Sequence, residues 1–215
     1  MKTIKDGSLY LVSSEEYSAG RTTLETALEA AAGGIDILQM REKSKTGEEL
    51  FSLGIKLRAV CSEKGVTFIV NDDPYLAADI DADGVHLGQE DMKRFSVAET
   101  RGILGAGKII GVSTHSFEQF SSANEDDVDY IAFGPIFHTG TKDYFIGYDD
   151  IGKVVSAAKK PVVFIGGIND GNIDIVLDRG GRSAAVIRAI TQAPDIRLAA
   201  RVLKEKIMKK VKDAY

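Results

Sequence analysis

Gln39, Arg41 and Lys43 alternate along one short stretch. In an extended segment such residues share a face. Two cations on one face need anionic partners, because a buried unpaired charge is very costly. The chemistry on offer is a phosphate or pyrophosphate clamp, and the plainer alternative is an ion pair with Glu42 or a neighbour. Asp72 and Asp91 each follow a short apolar run. If those runs are adjacent strands, they lie about 4.8 Å apart. Carboxylates that close repel unless a cation or proton sits between them. Mg²⁺ suits such a site, because it is held by one or two carboxylates together with substrate phosphates. Helix capping is the alternative; Asp73, standing before Pro74, is assigned to it.

Other polar groups follow further apolar runs. They are Asn71, Gln89 and Glu90, then Ser113, Thr114 and His115, then the segment His138, Thr139, Gly140, Thr141 and Lys142. A small polar segment ending in Lys142 can close over an anion. Gly166-Gly167 and the turn through Ile187 and Arg188 offer backbone N–H groups to a phosphate, where a turn glycine is the plain reading. His86 falls inside a run and reads as a satisfied core residue. His138 is the better histidine for substrate contact. Cys61 reads as helix packing.

These residues need a frame that brings them together. Strand-like runs at 9–13, 35–41, 67–71, 84–88, 108–113, 129–134, 161–167 and 183–187 alternate with helical runs. The helical runs are 22–34, 46–65, 74–80, 96–104, 116–124, 150–158, 171–179 and 196–215. Runs such as FIV, YIAF and VVFI are continuously apolar, as buried parallel strands are. Eight strand–helix units favour a closed (β/α)₈ TIM barrel over a doubly wound open sheet. No linker or domain boundary appears, so residues 1–215 are expected to form a single compact barrel. Active sites of such barrels lie at the C-terminal ends of the strands, where the polar residues above converge. Two anion sites and one Mg²⁺ site in one mouth suit two phosphorylated small molecules, or one with phosphates at both ends.

Composition narrows the rest. The chain has 215 residues, with 27 Lys and Arg against 32 Asp and Glu, a net charge of −5. That is a poor balance for a nucleic-acid binder. A single cysteine allows no internal disulfide and no Cys-based zinc site. No run is long enough to span a membrane, and no signal-peptide pattern opens the sequence. A cytoplasmic enzyme of small phosphorylated substrates is expected, with the oligomeric state open.

The runs LQMREK, IVNDD, DGVHLGQED, IGVSTHS, DYIAFGPIFHTGTK and VVFIGGI occur in an order that resembles the thiamine phosphate synthase family. The resemblance spans nearly the whole chain, and VHLGQED together with GPIFHTGTK is its most specific part. It implies a (β/α)₈ transferase that condenses hydroxymethylpyrimidine pyrophosphate with thiazole phosphate, giving thiamine phosphate and pyrophosphate. The implied mechanism is dissociative and assisted by Mg²⁺. By position, Gln39 resembles the pyrimidine contact, and Arg41, Lys43, Asn71 and Lys142 the pyrophosphate ligands. Asp72 and Asp91 resemble the Mg²⁺ ligands, and Ser113 the hydroxyl donor near the reacting centre. Thr139 and Thr141 resemble thiazole-side contacts, and Gly167, Ile187 and Arg188 the thiazole phosphate cradle. Of these, Ser113, Lys142 and Arg41 are the implied catalytic residues.

The chain departs from the family at Arg188, where Ser is common. The arginine either touches the phosphate or turns outward. Two rivals share the barrel: a thiazole tautomerase, which is an isomerase, and a non-catalytic phosphate-binding barrel.

Overall fold

The computed structural model describes residues 2–140 and 143–213. Eight parallel strands close on themselves in chain order. They are β1 (Leu9–Ser13), β2 (Ile37–Met40), β3 (Thr67–Asn71), β4 (Gly84–Leu87), β5 (Ile109–Thr114), β6 (Tyr130–Phe133), β7 (Val162–Ile165) and β8 (Ser183–Val186). The helices are α1 (Thr23–Ala32), α2 (Gly47–Lys64), α3 (Pro74–Asp79), α4 (Val97–Leu104), α5 (Phe117–Glu125), α6 (Ile151–Ala157), α7 (Ile173–Asp178), α8 (Arg188–Thr191) and α9 (Ile196–Lys212).

Helix starts are written in local chemistry. Thr22, Thr46 and Ser96 each close a capping box with a glutamate three residues on. Two orphan backbone donors are satisfied at each of these ends. Asp73 accepts from the Leu76 N–H with Pro74 in the first turn, as a cap should. α2 stops at Gly65, whose φ of +72° suits a residue without Cβ.

Strand parity separates two apolar layers. Leu9, Leu11, Leu38, Met40, Phe68, Val70, Val85, Leu87, Phe133 and Phe164 point outward and pack under the helices. Tyr10, Val12, Ile37, Ile69, Ile109, Tyr130, Val163 and Ala185 fill the barrel. This alternation is the period-2 rule of the strand. It explains why the strands are apolar on both faces.

The elements agree with the sequence reading, with a few differences. The run at 35–41 is strand only over Ile37–Met40, and the run at 161–167 only over Val162–Ile165. The short α8 was not anticipated, nor were the 3₁₀ turns Glu15–Tyr17 and Asp91–Lys93. Elements of three or four residues are too short to show a helical period. Asp91 opens its turn without capping it, and Ser96 caps α4 instead.

The loop after β1 and the segment after β8 are tied together. Thr191 Oγ1 donates to the Tyr17 carbonyl. Arg21 donates from Nη1 to Thr191 O at 3.1 Å and from Nη2 to Pro194 O at 3.3 Å. Arg188 lies over the Tyr17 ring at 5.0 Å.

Candidate active site

A cavity of about 730 Å³ opens at the carboxyl ends of the strands. Its wall includes Gln39, Arg41, Lys43, Asp91, Ser113, Thr139, Gly167, Ile187 and Arg188. His86, Gln89, Glu90, His115, His138 and Tyr144 also line it. Asn71 and Asp72 are not in that wall; they end β3 and enter its turn at the rim, beside Asp91. Thr141 and Lys142 lie outside the described residues.

Gln39 is buried on the inward face of β2, and Arg41 and Lys43 continue that face upward. Glu42 is not their counter-ion. It is buried on the other side, accepting from the Glu15 N–H at 2.9 Å and from the Thr23 hydroxyl. Burial raises the proton affinity of its carboxyl. The two cations are thus left facing the mouth.

β3 and β4 pair with Asn71 opposite His86. That register carries Asp72 and Asp91 to neighbouring positions on the rim. Asp72 has a φ of +66°, the left-handed region, and its N–H donates to His86 O at 2.8 Å. The two carboxyls lie within hydrogen-bonding reach. Burial first, then the Asp91 carboxyl, push the Asp72 pKa up to about 6, while Lys43 and Asn71 pull it down. Asp91 folds back over Gly88, where a Cβ would meet its Oδ2 at 2.8 Å. Two facing carboxyls form a donor set suited to a hard divalent cation. Among the described residues, no three His, Cys, Asp or Glu side chains gather as a complete metal site. The pair therefore needs ligands from elsewhere, as Mg²⁺ takes them from substrate phosphates.

The opposite wall is built on close approach. A Cβ at Gly167 would lie 2.5 Å from His138 O, and one at Gly166 would lie 2.3 Å from Pro135 Cβ. Both glycines have positive φ, so they serve the packing of the β6 loop as well as the turn. Arg188 turns into the mouth. Its guanidinium lies against Gly140, where a Cβ would be 2.5 Å from Nη2, and over Tyr17. Ile187, Arg188 and Ala189, where α8 begins, line the same space.

Beneath the mouth runs a buried polar chain that the sequence did not reveal. Gln39 Nε2 donates to Tyr10 Oη at 2.8 Å. Tyr10 Oη is 2.9 Å from Tyr130 Oη, which is 2.8 Å from His86 Nδ1. His86 Nε2 is 2.8 Å from Ser113 Oγ. Burial holds the His86 pKa down to about 4, so the imidazole is neutral at physiological pH. Burial likewise raises the Tyr10 and Tyr130 pKa values above the ordinary phenol range. His86 is the satisfied core residue expected, yet it also touches the cavity. His115 Nδ1 bonds to Gly134 O at 2.6 Å, and its ring meets the edge of Tyr144. His138 is exposed at the rim. Cys61 is buried in the outer core, its thiol pKa pushed up to about 12, so it packs rather than reacts.

A closed barrel with cations and paired carboxylates at its carboxyl-end mouth has the make-up of a barrel enzyme with a site suited to anionic small molecules. Comparison with known proteins narrows the class. Residues 9–190 match the family model described as thiamine monophosphate synthase. A thiamine-phosphate synthase of Haloarcula marismortui is 43% identical over 204 residues, covering 92% of this chain and 95% of the relative. One from Pelotomaculum thermopropionicum is 39% identical over 208 residues, covering 95% and 94%. A solved thiamine phosphate pyrophosphorylase from Pyrococcus furiosus superposes with a TM-score of 0.86 at 34% identity, covering 95% of this chain and 96% of that one. The chain belongs to the thiamine monophosphate synthase family, and it is a transferase of thiamine biosynthesis. No helix among the described residues is long and apolar enough to cross a membrane.

Proposed function

We propose that the whole chain, as one (β/α)₈ catalytic unit, condenses hydroxymethylpyrimidine pyrophosphate with thiazole phosphate in this mouth. The observation that carries the reading is the pairing of two unlike anion sites across one cavity. Arg41, Lys43 and the Asp72–Asp91 pair form one side, and Gly167, Ile187 and Arg188 the other.

On the first side, Arg41 and Lys43 bind the pyrophosphate of the pyrimidine substrate, with Asn71 at the rim. Arg41 offers a planar fork and Lys43 a point charge. Gln39 contacts the pyrimidine ring. Asp72 and Asp91 would hold Mg²⁺, which when bound neutralises charge on the leaving pyrophosphate. Ser113 donates its hydroxyl to the same anion near the reacting carbon. Thr141 and Lys142 follow Thr139 in sequence, and the reading gives Lys142 to the pyrophosphate and Thr139 and Thr141 to the thiazole.

The bond from the pyrimidine methylene carbon to the pyrophosphate oxygen breaks, and its electron pair leaves with the pyrophosphate. The thiazole nitrogen then donates its lone pair to the methylene cation, forming the new C–N bond. No proton need be removed, so the site requires charge stabilisation rather than a strong base. The neutral, buried His86 agrees with that requirement. On the second side, Gly167, the backbone at Ile187 and Arg188 cradle the thiazole phosphate and aim its ring at the cation.

A coupling assay tests the reading. Purified protein, both substrates and Mg²⁺ are expected to give thiamine phosphate, read by fluorescence after oxidation, and EDTA is expected to abolish it. Folded protein that makes no product with Mg²⁺ would overturn it.

A further inference from the structure

We infer that Tyr10, Tyr130 and His86 are positioning residues, which carry one hydrogen-bond direction from Gln39 to Ser113 and leave the Ser113 hydroxyl proton free for the substrate. The inference rests on the reading of Ser113 as a donor to the pyrophosphate.

The direction follows from counting protons. The Gln39 amide nitrogen only donates, and it donates to Tyr10 Oη at 2.8 Å. Tyr10 has one hydroxyl proton, and its other partner among the described residues is Tyr130 Oη at 2.9 Å. That proton therefore goes to Tyr130. The Tyr130 proton in turn goes to His86 Nδ1 at 2.8 Å. Nδ1 is then an acceptor. A neutral imidazole carries a single N–H, so it sits on Nε2 and donates to Ser113 Oγ at 2.8 Å. Ser113 accepts from below, and its own proton is left for the cavity that it lines.

The reverse direction fails at its far end. If Ser113 donated to His86, Tyr130 would donate to Tyr10. Tyr10 would then accept from both neighbours, and its proton would have no acceptor among the described residues, on a side chain only 2% exposed at the cavity floor. Native proteins avoid such groups. The described residues agree, because only Thr26 and Thr100 carry buried side-chain oxygens without a partner.

The chain joins five strands, β2, β1, β6, β4 and β5, so no single loop motion redirects it. The His86 and Tyr130 rings also stack, with centroids 5.5 Å apart at 30°. Gln39 and Ser113 line the cavity, whereas Tyr130 does not, so Tyr130 can act on a substrate only through its neighbours.

Nitrogen NMR of the ring-labelled wild-type protein reads the tautomer directly. The expected result is a neutral His86 protonated at Nε2, and a proton on Nδ1 would overturn the inference. Kinetics supply the second test. Tyr130→Phe should lower kcat about tenfold, the value of one hydrogen bond to a charged group, with KM for both substrates little changed. In a Ser113→Ala background the same substitution should cost nothing further in kcat. An equal loss in both backgrounds would mark Tyr130 as merely structural and overturn the proposal. If Tyr130→Phe does not fold, the wild-type tautomer still decides. A wild type that folds but does not condense the two substrates fails the functional reading alone, and the tautomer then judges the direction of the chain separately.

Discussion

The Tyr130 ring lies directly over Gly111 inside the barrel. A Cβ on Gly111 would stand 2.0 Å from Tyr130 Cζ and 2.5 Å from its hydroxyl. The missing side chain on β5 is therefore the space that the tyrosine of β6 occupies. Gly111→Ala should displace the ring, at a cost of about 1–3 kcal/mol for overpacking. The melting temperature should fall by roughly 3–10 °C in a chain of this length. Tyr130→Phe should not rescue it, because ring carbons clash as well as the hydroxyl. Calorimetry of the single and double variants checks both statements.

Asp91 reaches the cavity wall, and Asp72 stands behind it. Asp91→Ala should keep the barrel folded and lose activity by about a hundredfold or more at low Mg²⁺. Part of the loss should return as Mg²⁺ is raised. Titration of turnover against Mg²⁺ measures this, and wild-type activity with wild-type Mg²⁺ dependence would remove Asp91 from the ligand set.

The Asp72 carboxyl, raised to about 6, binds its proton more tightly in the folded state than in the unfolded chain. Without metal, its contribution to stability should therefore decline as pH rises from the ordinary carboxylate range through about 6. Asp72→Asn should remove that decline and stabilise the metal-free protein at pH 7.5, by about 1 kcal/mol after allowing for solvent at the rim. Asparagine also tolerates the left-handed backbone at this position. Mg²⁺ should raise the melting temperature of the wild type more at pH 7.5 than at pH 5. His86 acts in the opposite sense. Its folded pKa of about 4 lies below that of the unfolded chain, so only the unfolded chain takes up that proton as pH falls from about 6.5. Stability should drop over that window, and His86→Gln should flatten the acid limb. Denaturant titrations at several pH values separate the two slopes.

Arg188 occupies the mouth between Gly140 and the Tyr17 ring. Arg188→Ala should raise KM for thiazole phosphate about tenfold, the value of one charge-assisted hydrogen bond. KM for the pyrimidine pyrophosphate should stay within about twofold, because independent sites are nearly additive. Equal effects on both KM values would place Arg188 outside the thiazole side.

Much of this was legible from residue order. The apolar runs and capping signals located the strands and helices, because burial on both faces and local hydrogen bonding are short-range facts. The approach of Asp72 to Asp91 followed from neighbouring parallel strands, and the observed register of Asn71 against His86 fulfils it. The chain from Gln39 to Ser113 was not legible. Tyr130 sits in YIAF, which reads as an ordinary buried run, and its hydroxyl finds partners only through closure of five strands. Two signals were available: tyrosines at inward positions of β1 and β6, and a glycine in the middle of β5. The direction of Arg188 was equally hidden, since it depends on Tyr17 and Gly140, which lie far away in sequence. Glu42 was weighed as a counter-ion for its neighbours, but strand parity sends it to the opposite face.

The ties between the β1 loop and the segment after β8 bear on how the protein is made. Tyr17 and Arg21 leave the ribosome early, whereas Arg188, Thr191 and Pro194 leave it near the end of synthesis. Arg188, in the wall of the mouth, is thus braced by a part of the barrel translated long before it. A nascent chain can form most strand pairs in order, but it cannot complete that wall until Pro194 has emerged. A chain still being translated therefore lacks the contacts that brace Arg188 at the mouth.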